Sequence, residues 1–136
     1  MKKSLQIVGV LALLMASTGA LAGKYDGSSP LLCAVTQTVG CDAVGDCIQG
    51  PADAVNLPVF IKLDAQKKEV VTAREGGERR TSKILEVGTE GDALLFVGLE
   101  PGGSWSAILD KATGKMTATA AMNGQGFIVF GSCLAL

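Results

Sequence analysis

Residues 93–133 read ALLFVGLEPGGSWSAILDKATGKMTATAAMNGQGFIVFGSC, and this stretch decides the fold. Four strand-sized runs stand in it, at 93–99, 104–110, 115–121 and 125–133. Turn signals separate them. Pro101-Gly102-Gly103 is a turn with proline first, and Asp110-Lys-Ala-Thr-Gly114 has the form of a type I turn closed by a left-handed glycine. Asn123-Gly124 is the strongest short hairpin signal in the chain. Links this short make neighbouring strands pair antiparallel.

The pattern continues toward the N-terminus. Val59, Ile61 and Leu63 alternate with Phe60, Lys62 and Asp64, a period of two. The run 69–74 is β-branched at Val70, Val71 and Thr72, and 81–87 follows it. Glu75-Gly-Gly-Glu78 and the pair Gly88 and Gly91, around Thr89-Glu90, supply the turns. Strands at intervals of about 8–12 residues with such turns indicate an all-β barrel or sandwich. We expect an antiparallel meander of about seven or eight strands, from residue 57 to 136, packing with 23–56 as one domain. Barrel closure would hide its edges. A short helix is expected over 51–55, where Gly50-Pro51 opens a first turn.

The N-terminus has a different character. Lys2 and Lys3 are followed by the run Ile7–Met15, apolar apart from glycine, and then by Ala20-Leu-Ala22, a small-x-small site. This is the pattern of a secretory signal peptide, residues 1–22, cleaved near Ala22. A membrane span needs roughly 20 apolar residues, about twice this run. The mature chain contains no comparable segment, so we expect a periplasmic or secreted protein with no transmembrane span.

The cysteines agree with export. Cys33, Cys41, Cys47 and Cys133 all follow the cleavage site, and their number is even, which in an oxidising compartment reads as two disulfides. Three pairings are open. Cys41 and Cys47 can close a short loop containing Gly45, leaving Cys33 to join Cys133. In the alternatives Cys33 pairs with Cys41 or with Cys47, and the other cysteine pairs with Cys133. The first pairing is favoured because it would staple the first strand to the last at a barrel's closing seam. A zinc site is the rival, but there is no C-x-x-C and no histidine.

The absence of histidine among 136 residues removes Ser-His-Asp and Cys-His nucleophiles and imidazole acid–base work. Ser104-Trp-Ser106 has no base, and no glycine cluster matches a P-loop or dinucleotide motif. Asp42, Asp46 and Asp53 lack the alternating pattern of a calcium loop. No carboxylate pair stands out for glycosidase-type chemistry, and an interior of Val, Ile, Leu and Ala offers no obvious acid. We therefore assign no catalytic residue, no metal site and no cofactor.

Without residues 1–22 the chain has 10 basic and 13 acidic groups, a net −3 that argues against nucleic-acid binding. Charge is uneven, however. Seven of those basic residues and four acids lie between Lys62 and Lys83, a local +3. Arg74, Arg79, Arg80 and Lys83 are candidate anion-docking residues for a lipid, a cell-wall polymer or an acidic protein groove. The competing reading is solvated hairpin tips whose lysines and arginines guard strand edges. A hairpin closed at Glu75-Gly-Gly-Glu78 would place Arg74 roughly opposite Arg79.

Two strands are apolar on both faces. Leu95, Val97 and Leu99 stand opposite Leu94 and Phe96, and Phe127 and Val129 stand opposite Ile128 and Phe130. One face would fill the barrel. The other is either covered by the N-terminal segment or left as a surface or cavity for a ligand or partner.

Trp105-Ser-Ala-Ile-Leu-Asp110, Thr113-Gly-Lys-Met-Thr117, Phe127-Ile-Val-Phe-Gly-Ser-Cys133, Leu31-Leu-Cys33 and Val55-Asn-Leu-Pro58 together carry a resemblance. They look like a group of small exported proteobacterial β-rich proteins with two disulfides and no assigned activity, and the likeness covers most of the mature chain. It implies export and a compact β fold, with no catalytic residue to transfer. The architecture is also similar in kind to the periplasmic lysozyme inhibitors of the membrane-bound and C-type classes, whose Ser-Gly-x-x-Tyr loop is absent here. Lipocalin-like carriers share a meander, but their G-x-W motif is missing.

The expectation is thus a non-enzymatic envelope protein that binds an envelope protein, a lipid or another small apolar ligand. The alternatives are an inhibitor of a secreted hydrolase such as lysozyme, and a carboxylate-only hydrolase. An exposed strained loop at 100–104 would favour the inhibitor. A cavity in the barrel would favour the ligand carrier, and two carboxylates about 5–10 Å apart in a cleft would favour the enzyme.

Overall fold

The computed structural model of the protein describes residues 25–73 and 77–136. Residues 1–22, expected as a signal peptide, and Arg74 lie outside the described residues. Nine strands are present among those described: β1 Leu31–Cys41, β2 Cys47–Gly50, β3 Phe60–Asp64, β4 Glu69–Ala73, β5 Arg79–Glu90, β6 Ala93–Glu100, β7 Gly103–Asp110, β8 Lys115–Met122 and β9 Gln125–Ala135. A single 3-10 turn, Ala52–Val55, falls where Gly50-Pro51 predicts one.

All pairings are antiparallel. From β3 to β9 each strand pairs with the next, and β9 returns to β1 along ten register pairs, from Leu31 opposite Ala135 to Cys41 opposite Gly126. The result is a closed eight-stranded barrel, β1 with β3 to β9, and β2 is an extra strand outside the ring. Closure leaves the ring without a free edge, which is why a meander of this length settles as a barrel. On its other side β1 pairs first with β3, at Leu31–Ala34, and then with β2, at Thr38–Cys41. The change coincides with a bulge at Val35/Gln37, which bends the strand. Thr36, at the bulge, donates its hydroxyl to the Phe130 carbonyl at 3.1 Å.

The turn chemistry explains the register. Asn123 and Gly124 both take positive φ, 50° and 77°, between the paired Met122 and Gln125. This is the two-residue loop whose twist suits a hairpin. At the β7–β8 turn Gly114 has φ 71° and donates its N–H to the Asp110 carbonyl at 2.8 Å. A methyl group on Gly114 would come within 2.8 Å of the Tyr25 ring, so the glycine also admits the N-terminal segment.

That segment caps one end of the barrel. Tyr25 and Ala65 pack against a core of Leu31, Cys33, Leu63, Leu94, Phe96, Leu109, Met116 and Cys133. Full burial of each large apolar side chain contributes about 1.5–3 kcal/mol. This end is closed and packed. The opposite end carries the β1–β2 hairpin, the 3-10 turn and the β4–β5, β6–β7 and β8–β9 turns.

Both disulfides are present. Cys33–Cys133 joins directly opposed, inward-facing residues of β1 and β9. Cys41–Cys47 closes the β1–β2 hairpin. The long bridge lies on the closing seam, as the favoured pairing predicts.

The second apolar face differs from one expectation. Residues 31–41 are a wall strand of the barrel, so they do not form a layer over it. Val97, Leu99, Ile108, Ile128, Phe130 and Leu134 therefore remain on the outer surface, with Phe130 at 40% exposure.

Candidate functional site

The open end of the barrel holds a cavity of about 340 Å³. That volume falls at the lower end of the range for small-molecule sites, roughly 300–1,000 Å³. The space exists because inward positions here are small. Ala107, Ala118 and Ala120 point inward from β7 and β8, where the closed end has Leu109 and Met116. Trp105 and Phe127 supply the aromatic walls. Trp105 is the only tryptophan in the chain, and it is the direct register partner of Gly98.

The far side of the mouth is built by the 3-10 turn. Ala52 is buried against Val35 and Val129, and the chain leaves through Asn56 in the left-handed conformation, φ 58°. Val55 and Leu57 are thereby set on the rim of the cavity. The anchor of this turn is Thr38, fully buried on β1. Its hydroxyl is shared between the Gly50 carbonyl at 2.9 Å and the Pro51 carbonyl at 3.1 Å.

Polar groups gather on one sector of the mouth. The β4–β5 register sets Val70 opposite Ser82 and Thr72 opposite Arg80, so all four face inward. Ser82 donates its hydroxyl to Oε1 of Glu100. Thr72, Arg80, Ser82 and Glu100 all line the cavity. An apolar interior with a few convergent polar groups at one edge is the usual form of a small-molecule site. Glu100 corrects the expectation of an interior without an acid: a rim position is wet enough to keep a carboxylate.

Of the four candidate anion-docking residues, Arg74 lies outside the described residues, and Arg79, Arg80 and Lys83 do not all share one face. Arg79 stands opposite Ala73, one residue earlier than the expected partner Arg74. Five residues, 74–78, therefore connect the strands, where a tighter hairpin was expected. Alternation then separates Arg79, outward, from Arg80, inward. Lys83 is outward and opposite Glu69, an opposite-charge cross-strand pair. Arg80 alone of the described three lines the cavity.

The features tied to the other function classes have structural roles. The β6–β7 connection is a two-residue turn, Pro101-Gly102, between the paired Glu100 and Gly103. Gly102, φ 85°, accepts a hydrogen bond at 3.3 Å from the Asn123 N–H of the neighbouring turn. It is therefore a tight, exposed turn tied to its neighbour by that bond. Asp42 accepts the N–H groups of Val44 and Asp46, both at 3.0 Å, and so holds the cysteine loop closed. Glu100 is the single carboxylate lining the barrel cavity among the described residues. No described helix is long and apolar enough to cross a membrane.

The sequence contained part of this site. Trp105 is conspicuous as the lone tryptophan, and Arg80 was marked for its charge. Glu100, Ser82 and Thr72 carried no signal of their own, because only the register reveals that they share one face. Comparison with protein-family models, curated proteins and solved structures returned no match.

Proposed function

We propose that the protein is an exported, non-enzymatic binding module that carries a small apolar ligand in the open end of its barrel. The observation that supports this reading is the cavity of about 340 Å³, walled by Trp105, Ile61, Val129 and small inward residues. A packed and disulfide-joined closed end holds that space open as a preformed site, which lowers the ordering cost of binding. Two disulfides suit an oxidising compartment, in keeping with the leader pattern at residues 1–22.

Trp105 offers a direct test. The disulfide-intact protein is titrated with the neutral apolar probe N-phenyl-1-naphthylamine while tryptophan emission is followed. Saturable energy transfer from Trp105 to the probe is expected, together with loss of that transfer in Ala118→Trp, which fills the cavity. Unsaturable probe uptake, or uptake unchanged in the filled variant, would reject the reading.

A further inference from the structure

We infer that the cavity selects a single-chain aliphatic acid, with the chain in the barrel and the carboxylate held at the mouth by Arg80. The inference rests on the proposed ligand-carrying role and adds the chemical class of the ligand.

Three observations carry it. The first is orientation. Arg80 faces Thr72 across β4 and β5, on the same side as the buried Val70. A cation at an inward barrel position is unfavourable unless it stays wet or meets an anion. Arg80 is exposed and lines the rim, so its charge remains in water when the cavity is empty.

The second is the state of its neighbours. Glu100 shares the rim, but one of its oxygens already accepts the Ser82 hydroxyl. Among the described residues neither a carboxylate nor any other hydrogen-bond acceptor pairs with the Arg80 guanidinium. The guanidinium presents N–H donors in a planar fork, and that geometry matches a carboxylate bidentately. An anionic head therefore gains more at this rim than a cationic one, because the rim acid is partly satisfied and, among the described residues, the rim base is not.

The third is capacity. Below Arg80 the lining is apolar: Ile61, Leu63, Val70, Met116 and Val129. About 340 Å³ is room for one aliphatic chain. Each methylene buried should tighten binding about fourfold until the closed end is reached.

The test uses three ligands with one tail: decanoate, decanol and decyltrimethylammonium. Each displaces N-phenyl-1-naphthylamine from the disulfide-intact protein at low salt. Decanoate is expected to bind tightest. Arg80→Gln should weaken decanoate about tenfold or more, and leave decanol unchanged. Glu100→Gln should strengthen decanoate and weaken the cation. Arg80→Lys, which keeps the charge without the fork, should fall between the parent and the glutamine variant. Equal binding of all three ligands, or an Arg80→Gln variant with the parent's preference, would overturn the anionic anchor while leaving the apolar cavity reading intact. Failure of decanol as well as decanoate to displace the probe would remove both.

Discussion

The indole of Trp105 lies directly across the backbone of Gly98. The two are register partners on β7 and β6, and a methyl group on Gly98 would collide with the ring. The missing side chain is what lets the tryptophan lie against the wall of the barrel instead of across its mouth. Gly98→Ala should push the ring into the cavity at a cost of about 1–3 kcal/mol, the usual range for overpacking. Urea denaturation measures the cost, and probe titration measures the lost volume. Unchanged stability with full probe binding would show that the ring does not need the glycine.

The two disulfides should differ in what they contribute. Cys33–Cys133 spans 100 residues and Cys41–Cys47 spans six. Loop-closure entropy assigns about 4–5 kcal/mol to the first and about 2 kcal/mol to the second. Paired alanine variants, compared by urea denaturation, should therefore rank with C33A/C133A well below C41A/C47A. The reverse order would mean that the β1–β2 hairpin, and not the seam, limits the fold.

Thr38 connects stability to the site. Its buried hydroxyl meets two carbonyls at the entry of the 3-10 turn, so Thr38→Val leaves both without that donor. The expected cost is about 1–3 kcal/mol. Because the turn sets Val55 and Leu57 on the rim, probe affinity should fall too, whereas a substitution of the solvent-facing Thr36 should leave affinity alone. Hydrogen exchange at Ala54 and Asn56, whose amides bond within the turn, should accelerate in Thr38→Val. Parent-like exchange there would separate Thr38 from the rim.

Acid should weaken the β7–β8 turn. The Thr113 amide, donating to Asp110 at 2.8 Å, is the main influence holding that carboxyl below the usual aspartate range. The Thr113 hydroxyl and the Ala112 amide, the latter at 2.9 Å, act in the same sense. A carboxylate with a lowered folded pKa stabilises fully above its unfolded value. It loses that contribution as pH falls through the depressed folded value. The stability difference between the parent and Asp110→Asn should hold constant near neutrality and shrink once pH drops below the ordinary aspartate range. Denaturation midpoints taken from about pH 7 to about pH 2 check this. A difference that is flat across the range would show that the charge contributes nothing to the turn.

Some of these relationships were legible before any fold was known. From residue 57 on, period-two alternation and turn residues located all seven strands to within a few positions at their ends. Those signals are local: Asn123-Gly124 adopts positive φ because of what it is, wherever it sits. The short helix after Gly50-Pro51 is local in the same way. β2 escaped notice because Cys-Ile-Gln-Gly is too short to show a period and forms only against the far half of β1. The docking group of Arg74, Arg79, Arg80 and Lys83 was read from nearness in sequence. In a strand, successive side chains take opposite faces, so Arg80 turns inward while Arg79 and Lys83 face outward.

By itself, then, the sequence determined the class of fold, the number of wall strands within one or two, the turns, and the lack of imidazole chemistry. The tertiary structure decided which face of each strand looks inward, and everything functional depends on that. A shift of one residue in register exchanges the two faces of a strand. Only the register places Gly98 beneath Trp105 and turns Arg80 toward the mouth with Ser82 and Glu100. The cavity likewise has no sequence signature, because it is the volume left where Ala107, Ala118 and Ala120, on two neighbouring strands, meet inside the barrel.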